Sequence, residues 1–324
     1  AEQNYANGNY HGMEISYYES GNIEYELEYI DGLAQGKQTF YFDSPEKLIE
    51  KLRTFENDTL QGKEIGYYQS GNINYEAEYI DGLAQGKQIF YFDSPDKLIY
   101  AEQNYANGNY HGMEISYYES GNFEYEVEYI DGLAQGKKTF YFDSPEKTIS
   151  AEQFYENDTL KGMEISYYES GNIEYELEYI DGLVQGKQTF YFDSPEKLIM
   201  GYRNFVNSDL DGKSIAYYES GNKKVEYKNF QGLTQGKLTT YYDSTESEVK
   251  SEVIYENDTL TGKEIGYHQS GNLKSELEYI DGLAQGIQTF YKDSKFEELD
   301  YTKLYKDDIL LERRIALVIG NENY

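Results

Sequence analysis

The chain has 324 residues and a net charge of −32 at pH 7, from 60 acidic and 28 basic side chains. A chain this acidic repels phosphate backbones and anionic lipid headgroups, so its composition argues against binding to nucleic acid or to a membrane surface. The absence of cysteine excludes a disulfide framework, a thiolate metal site and a cysteine nucleophile within these residues.

The remaining composition predicts a thin β structure rather than a thick aliphatic core. There are 39 Tyr and 15 Phe but no Trp, and 30 Gly against 4 Pro. No apolar run reaches the roughly 18 residues of a membrane-spanning helix, so a membrane role is not expected. We expect a cytoplasmic location.

A period of 50 residues, built from two unequal halves, governs most of the chain. Such a period predicts a repeat array in which each unit contacts only its neighbours. Residues 1–20 recur unchanged at 101–120, so we expect the natural protein to begin further upstream. We number the copies one to six by the glycine that starts each first half: Gly12, Gly62, Gly112, Gly162, Gly212 and Gly262.

The first half of each copy predicts a β-hairpin. Residues 13–18 are rich in aromatic and β-branched side chains, and residues 19–22 (Glu-Ser-Gly-Asn) form the turn. Residues 23–29 alternate apolar and acidic. Because successive strand side chains point to opposite faces, this pattern predicts one apolar face and one acidic face. The apolar face would hold Ile23, Tyr25, Leu27 and Tyr29, and the acidic face Glu24, Glu26 and Glu28.

The second half predicts another hairpin. Residues 37–42 form its first strand and residues 43–47 its turn. The segment 44–53 also resembles a helix start, but its copies at 99–105 and 149–155 end in aromatic residues typical of strands. Residues 1–293 therefore predict an all-β, elongated, single-layer, twisted antiparallel sheet of tandem hairpins.

The acidic strand and its tyrosines are the candidate partner-binding residues. The carboxylates of Glu24, Glu26 and Glu28 would attract a basic protein, although a merely solvated acidic face is the alternative. Tyr25 and Tyr29 would contact a partner or hold the sheet together. Carboxylates alternating along a strand do not converge as a calcium loop does, so no metal or cofactor is predicted.

The sequence offers no catalytic residues. His11 and His111 occupy the same position in two copies, and the other copies carry Gln, Lys, Asp or Thr there, which indicates exposed turn residues. A thin sheet also provides no pocket for a catalytic carboxylate pair.

The fifth copy departs most from the others. Lys223, Lys224 and Lys228 stand where the other copies carry mostly apolar or acidic side chains. This break in the acidic pattern is either ordinary drift or a docking spot for something the other copies do not touch.

The pattern ends after Asp293. Residues 294–312 read as a connector, within which 295–305 would be a last strand or a short helix. Residues 313–324 contain the apolar run Ile-Ala-Leu-Val-Ile, typical of a buried strand that opens an α/β domain.

Two resemblances follow from these residues. The half-unit with Tyr-Tyr-Glu-Ser-Gly-Asn at 17–22, Tyr-Ile-Asp-Gly at 29–32 and Gln-Gly at 35–36 resembles the MORN repeat in its bacterial variant form. The resemblance implies a hairpin-repeat scaffold for protein association. The Gly-x-Gly core of the eukaryotic motif is absent, which together with the charge argues against lipid binding.

Residues 313–324, Arg-Arg-Ile-Ala-Leu-Val-Ile-Gly-Asn-Glu-Asn-Tyr, resemble the first strand of a caspase-like peptidase domain of the metacaspase type. This resemblance implies a catalytic His and Cys beyond Tyr324. The resulting hypothesis is a regulatory scaffold of a caspase-like cysteine protease, which binds a basic protein or another copy of itself. The alternative is a structural spacer or filament subunit without enzymatic function.

Overall fold

A computed structural model describes residues 5–6 and 8–315, and every helix or strand element in this part of the chain is a β-strand. The chain forms two compact units, residues 1–161 and residues 162–324, which are described separately.

In the first unit, the strands of six or more residues pair antiparallel in sequence order, and each two-residue strand of the main sheet pairs with the strand before it. A two-residue strand pair, β1 and β2, precedes the main sheet. The strands are β1 Tyr5–Ala6, β2 Asn9–Tyr10, β3 Gly12–Tyr17, β4 Ile23–Ile30, β5 Leu33–Tyr41, β6 Ile49–Glu56, β7 Thr59–Leu60, β8 Gly62–Tyr67, β9 Ile73–Ile80, β10 Leu83–Tyr91, β11 Ile99–Ala106, β12 Asn109–Tyr110, β13 Gly112–Tyr117, β14 Phe123–Ile130, β15 Leu133–Tyr141, β16 Ile149–Glu156 and β17 Thr159–Leu160.

The second unit repeats this arrangement. Its strands are β18 Gly162–Tyr167, β19 Ile173–Ile180, β20 Leu183–Tyr191, β21 Ile199–Val206, β22 Asp209–Leu210, β23 Gly212–Tyr217, β24 Lys223–Phe230, β25 Leu233–Tyr241, β26 Val249–Glu256, β27 Thr259–Tyr267, β28 Leu273–Ile280, β29 Leu283–Tyr291, β30 Leu299–Lys306 and β31 Ile309–Ile315. The prediction of an all-β chain of tandem antiparallel hairpins is confirmed.

The turns explain why the repeat is so regular. Asp31 and Gly32 both have positive φ (52° and 90°), as a two-residue type I′ hairpin turn requires. Gly21, with φ of 92°, provides the tight turn predicted after β3. The segment that also resembled a helix start forms a strand from Ile49 onward, because β6 pairs with β5 along its length.

The predicted division of β4 into an apolar and an acidic face is partly wrong. Ser16 pairs with Tyr25 and Tyr17 pairs with Ile23, so Glu24 is the extra residue of a β-bulge. The bulge reverses the alternation at this point. Glu24 joins Tyr25, and its carboxylate accepts a hydrogen bond from the Ser16 hydroxyl at 2.8 Å. Ile23 instead joins the face that carries Glu26.

We name the two faces by one residue each. The Tyr25 face carries Glu24, Tyr25, Leu27 and Tyr29 and their equivalents in the other copies. The Glu26 face carries Ile23, Glu26 and Glu28 and their equivalents. The third copy shows the same division: Phe123 contacts the ring of Tyr141 at 5.9 Å, and the Tyr141 hydroxyl donates to Glu126 at 2.7 Å.

The most deeply buried apolar side chains lie in the middle of the Tyr25 face. Val127 is only 1% exposed, and Leu27 and Ala34 are also buried. Aromatic rings on neighbouring strands flank them, as in the contact of Tyr25 with Phe40 at 5.6 Å. Each such aromatic pair contributes about 0.5–1.5 kcal/mol beyond burial, so cross-strand rings supply much of the core that a single sheet otherwise lacks.

Residues 294–312, predicted as a connector with a last strand or a short helix at 295–305, continue the sheet and contain that strand. They contain β30, which pairs with β29, and most of β31, which pairs with β30. The turn at Asp307 and Asp308 has positive φ at both positions, like Asn57 and Asp58 in the first copy, and this turn chemistry extends the array by one hairpin. The predicted α/β strand at 313–324 begins within β31, and its residues 316–324 lie outside the described part of the chain.

Candidate protein-interaction surface

One edge of each sheet presents an exposed apolar pair at every first-half hairpin. Ile30 and Leu33 face each other across the Asp31-Gly32 turn and are 44% and 40% exposed. The equivalent pairs in the other five copies are also exposed: Ile80 and Leu83, Ile130 and Leu133, Ile180 and Leu183, Phe230 and Leu233, and Ile280 and Leu283.

The neighbouring turn holds this hairpin tip in place. The backbone N–H of Ala34 donates to the Asp58 carboxylate at 2.6 Å, and the Asp58 N–H donates to the Ala34 carbonyl at 3.1 Å. The Gln35 amide donates to Asn57 at 2.8 Å. The apolar pair is therefore presented by a hydrogen-bonded edge rather than by a loose loop.

An exposed carboxylate accompanies the pair. Glu28 precedes it on the Glu26 face and makes no ion pair among the described residues. Asp31, at the turn, lies 3.9 Å from the His11 ring, and both side chains are exposed. We call Glu28, Ile30, Asp31 and Leu33, with their equivalents in the other copies, the tip surface.

The structure separates the residues predicted to bind a partner. Glu24 lies on the Tyr25 face, bonded to Ser16. Glu26 lies on the other face, where it accepts from the Tyr41 hydroxyl at 2.9 Å and lies 3.5 Å from the Lys47 ammonium. Only Glu28 of the three is exposed. In the first copy the predicted single acidic row is thus one exposed carboxylate and two carboxylates that stabilise the sheet.

The predicted tyrosines face away from Glu26 and Glu28. Burial, together with the nearby Glu14 carboxylate, raises the pKa of Tyr29 to about 12 and also raises that of Tyr25. Both phenols therefore stay protonated at neutral pH and act as hydrogen-bond donors within the sheet.

Sequence reasoning missed a buried carboxylate on this face. Glu114 is 7% exposed, lies across from Val127, and accepts from the Tyr125 hydroxyl at 2.9 Å. The second and fourth copies repeat this pair, with Tyr75 donating to Glu64 and Tyr175 to Glu164. One sequence feature marks these buried glutamates: each lies two residues before a Ser or Gly that pairs with a tyrosine.

In the fifth copy this pair is replaced by neutral groups. Ser214 stands in place of the glutamate, and its hydroxyl accepts from the Asn229 amide at 2.9 Å, with both side chains buried. Val225 stands in place of the tyrosine. The bulge residue is Lys224, so the Tyr25 face gains a cation where the first, third and fourth copies carry glutamate.

The three candidate lysines of this copy do not form one patch. Lys224 lies on the Tyr25 face, whereas Lys223 and Lys228 lie on the Glu26 face. Lys223 and Lys213 both contact Glu226, at 3.0 and 2.9 Å. Although burial alone would raise the pKa of Glu226, hydrogen bonds from these lysines and from Tyr241 lower it to about 2. Lys223 thus has a structural partner, and Lys228 is exposed.

A cavity of about 740 Å³ opens on the Tyr25 face of the fifth copy. Its lining includes Phe190, Gly201, Arg203, Lys224 and Val225. Equivalent grooves in the second and third copies measure about 320 and 300 Å³. The fifth copy therefore differs in space as well as in charge.

Two structural features are absent from the described residues. No three histidine, aspartate or glutamate side chains there come close enough to share a metal ion. The same part of the chain contains no helix that is long and apolar enough to span a membrane.

Structural comparison gives only distant similarity. The chain matches a crystal structure of TcdB2-TccC3-Cdc42 at 10% identity and a TM-score of 0.18, covering 88% of this chain and 19% of that one. It matches the Tc holotoxin pore of Photorhabdus luminescens at 10% identity and a TM-score of 0.17, covering 88% and 17%. The chain spans about a fifth of the length of these proteins, and TM-scores this low carry no argument about fold or function.

Sequence comparison is more informative. A search of curated proteins gave no match. Five stretches match the family described as MORN repeat variant: residues 10–31, 60–81, 110–131, 160–181 and 260–281. Each spans the first hairpin of one copy and ends at the residue before the turn glycine. The corresponding residues of the fifth copy are not among these stretches, in keeping with its altered side chains. The chain therefore carries MORN repeat variants in five of its six copies.

Proposed function

We propose that this chain is a protein-interaction scaffold whose tip surfaces bind a basic segment of a partner protein. The observation that supports this most strongly is the recurrence, in five of the six copies, of an exposed Ile-Leu pair beside an exposed carboxylate. Recurrent exposed apolar side chains rimmed by charge are typical of interaction sites. Four strands separate equivalent tips within a unit, so they recur at about 19 Å at the usual strand spacing.

Charge complementarity favours a basic partner. A net charge of −32 attracts cationic proteins and raises their association rate, while Ile30 and Leu33 supply apolar contact area. The proposed partner segment therefore carries Lys or Arg beside apolar residues.

The test compares two variants with the same change in charge. One carries Glu28→Lys, Glu128→Lys and Glu178→Lys on the tip surface. The other carries Glu19→Lys, Glu119→Lys and Glu169→Lys in the turns at the opposite ends of these strands, which are also exposed. Binding of an amphipathic Lys-Leu peptide is measured by titration calorimetry at low and high salt. The tip variant should bind at least about tenfold more weakly than the control variant. Equal weakening by both sets would refute the tip surface.

We further infer that the parent protein is a caspase-like cysteine protease of the cytoplasm, regulated through this scaffold. The support is the resemblance of residues 313–324 to the first strand of that peptidase domain. The coding sequence beyond Tyr324 tests the inference. A His-Gly pair followed by a Cys in an apolar strand setting would support it, and their absence would remove it.

Self-assembly is a second candidate function. In the described residues β31 pairs only with β30, and Ile309, Leu310 and Leu311 are exposed on it. An unpaired apolar edge strand is a template for pairing with another copy. Light scattering across a concentration series should then show growth that Leu310→Lys with Leu311→Lys suppresses, whereas a constant monomer mass would exclude this function.

A further inference from the structure

The Tyr25 face carries a small groove at equivalent places in two copies of the first unit. In the second copy the groove lies between the bulge residues Glu50 and Asn74 and is closed on one side by Tyr75. In the third copy Glu119 and Glu124 line it. These grooves, at about 320 and 300 Å³, have acidic groups in their walls.

Two substitutions enlarge the groove in the fifth copy to about 740 Å³. The second copy shows what is missing: the ring of Tyr75 lies so close over Gly66 that a Cβ there would come within 2.1 Å of it. In the fifth copy Val225 replaces that tyrosine, and its pairing partner is Ala216. Gly201 stands where the second copy has Lys51, which removes a second side chain from the wall.

The enlarged cavity is lined by aromatic rings and two cations. The Arg203 guanidinium lies 4.7 Å from the centre of the Phe190 ring, and the Lys224 ammonium lies 5.6 Å from that of Tyr218. Neither cation makes an ion pair among the described residues.

Two carboxylates also line the cavity, and both are exposed. Asp243 is already held by the Ser220 hydroxyl and by the Asn222 amide at 2.8 Å. Glu219 belongs to the hairpin turn. Lys224 is exposed like these carboxylates, so the half-buried part of the cavity is aromatic and carries one cation, Arg203, in a chain that is otherwise strongly acidic.

We propose that the cavity of the fifth copy binds an aromatic carboxylate, that is, a planar apolar group joined to an anionic carboxyl group. Its volume falls within the range of about 300–1,000 Å³ usual for small-molecule sites. Rings from Phe190 and Tyr227 contact the planar group, and Arg203 offers a planar fork of donors suited to a carboxylate. This site goes beyond the proposed tip surface, because it lies on the Tyr25 face and selects an anion rather than a cation.

An aromatic ring joined to a carboxylate can be supplied by a small free acid or by a peptide in which a phenylalanine is next to a glutamate. The probes are therefore 3-phenylpropionate and its neutral amide, together with acetyl-Phe-Glu-Phe-amide and its Gln counterpart. Each is titrated into the full chain by ligand-observed NMR. At least one of the two acids should bind about tenfold or more tightly than its neutral counterpart. Binding of the free acid indicates a small ligand, and binding of the peptide alone indicates a peptide source.

Four variants locate the binding. Val225→Tyr restores the side chain of four other copies, fills the cavity and should abolish binding. Arg203→Gln and Lys224→Gln should each weaken the acid about tenfold and leave the neutral probe unchanged. Lys228→Gln is the matched control, because it removes the same charge from the opposite face of the same strand and should have no effect.

The outcomes that overturn the proposal are equally definite. Equal affinity for acid and neutral probes, absence of binding by either acid, or equal weakening by Lys224→Gln and Lys228→Gln would each refute it. Far-UV circular dichroism verifies the fold of every variant. If Val225→Tyr fails to fold, Arg203→Gln and Lys224→Gln still test the proposal. Both substituted side chains are at least partly exposed, so these variants should fold.

Discussion

The third and fifth copies use the same backbone for different chemistry. Strands β13 and β14 have the same lengths, register and bulge as β23 and β24. In the third copy the Tyr25 face holds the buried Glu114 bonded to Tyr125, and in the fifth it holds the neutral pair Ser214 and Asn229 beside a cavity. Strand pairing thus determines the hairpin, and a few facing side chains determine what its surface can bind.

The largest expected effect on stability comes from introducing into the third copy one of the two substitutions that distinguish the fifth copy, the valine in place of the tyrosine. Tyr125→Val removes a ring that lies 5.9 Å from Phe140 and a hydroxyl that donates to buried Glu114. We expect a loss of about 3 kcal/mol in the free energy of unfolding of this region. Urea unfolding with amide hydrogen exchange in β13 and β14 measures it.

The matching double variant tests whether the pair acts as a unit. Adding Glu114→Ser removes the carboxylate that Tyr125→Val leaves buried, so it should restore about 1 kcal/mol. Tyr125→Phe, which removes only the hydroxyl, is the intermediate control. The two residues are independent if adding Glu114→Ser to Tyr125→Val lowers the free energy of unfolding by as much as Glu114→Ser does alone. That result would contradict the view that the third copy uses Glu114 and Tyr125 as a pair.

The Glu26 face shows the opposite contrast, because here the fifth copy has more ionic partners. Glu226 accepts from Lys213, Lys223 and Tyr241, whereas Glu126 accepts from Tyr141 and makes no lysine ion pair in the described part of the chain. The folded pKa of Glu226, about 2, is below its ordinary value of 4.5. Its stabilisation is therefore present above pH 4.5 and is lost as the pH falls towards 2.

Glu226→Gln should remove that acid sensitivity. Between pH 4.5 and 2 the unsubstituted chain should lose about 1–2 kcal/mol more than the variant, after allowance for solvent screening. Acid titration of the urea midpoint measures this. Glu126→Gln is the control and should cost at most about 1 kcal/mol at neutral pH, because the Gln carbonyl still accepts from the Tyr141 hydroxyl but without the charge. Identical acid profiles for Glu226→Gln and the unsubstituted chain would contradict the assignment.

The series of hairpins could be predicted from the sequence, but the assignment of particular side chains to the two faces could not. The Ser-Gly-Asn and Asp-Gly turns and the alternation of residues 23–29 predict the hairpins because turn chemistry and period two are local properties. The bulge at Glu24 moves Ile23 and Glu24 to the faces opposite to those predicted, yet it depends on the register with β3. Burial of Glu114 likewise depends on a partner strand, and the cavity depends on Val225 and Gly201 from separate strands.

A smaller effect is expected at high pH, where the fourth and fifth copies should behave alike. Burial and the hydrogen bond to Glu226 raise the pKa of Tyr241 to about 12, and Tyr191, bonded to Glu176 in the fourth copy, has the same value. Since the folded pKa exceeds the ordinary value of 10, stability is intact below pH 10 and declines as the pH rises from 10 through 12.

Phenolate absorbance near 295 nm measures these tyrosines directly. We expect a class of tyrosines that titrates near pH 12 in the folded chain, and Glu226→Gln should move Tyr241 towards lower pH while leaving Tyr191 unchanged. A single class of tyrosines titrating at pH 10 before unfolding would contradict the hydrogen-bonded arrangement.

The smallest effect concerns the turn edge, where the third and fifth copies should be indistinguishable. Asp143 accepts hydrogen bonds from Ser120 and Asn122, and Asp243 accepts from Ser220 and Asn222. These bonds lower the pKa of both aspartates. Ser120→Ala and Ser220→Ala should each raise the pKa of the facing aspartate towards 3.8, as followed by carboxyl NMR during an acid titration. Because both carboxylates are fully exposed, the urea midpoint at neutral pH should not move. A rise in only one copy would show that the two hairpins differ in more than their facing side chains.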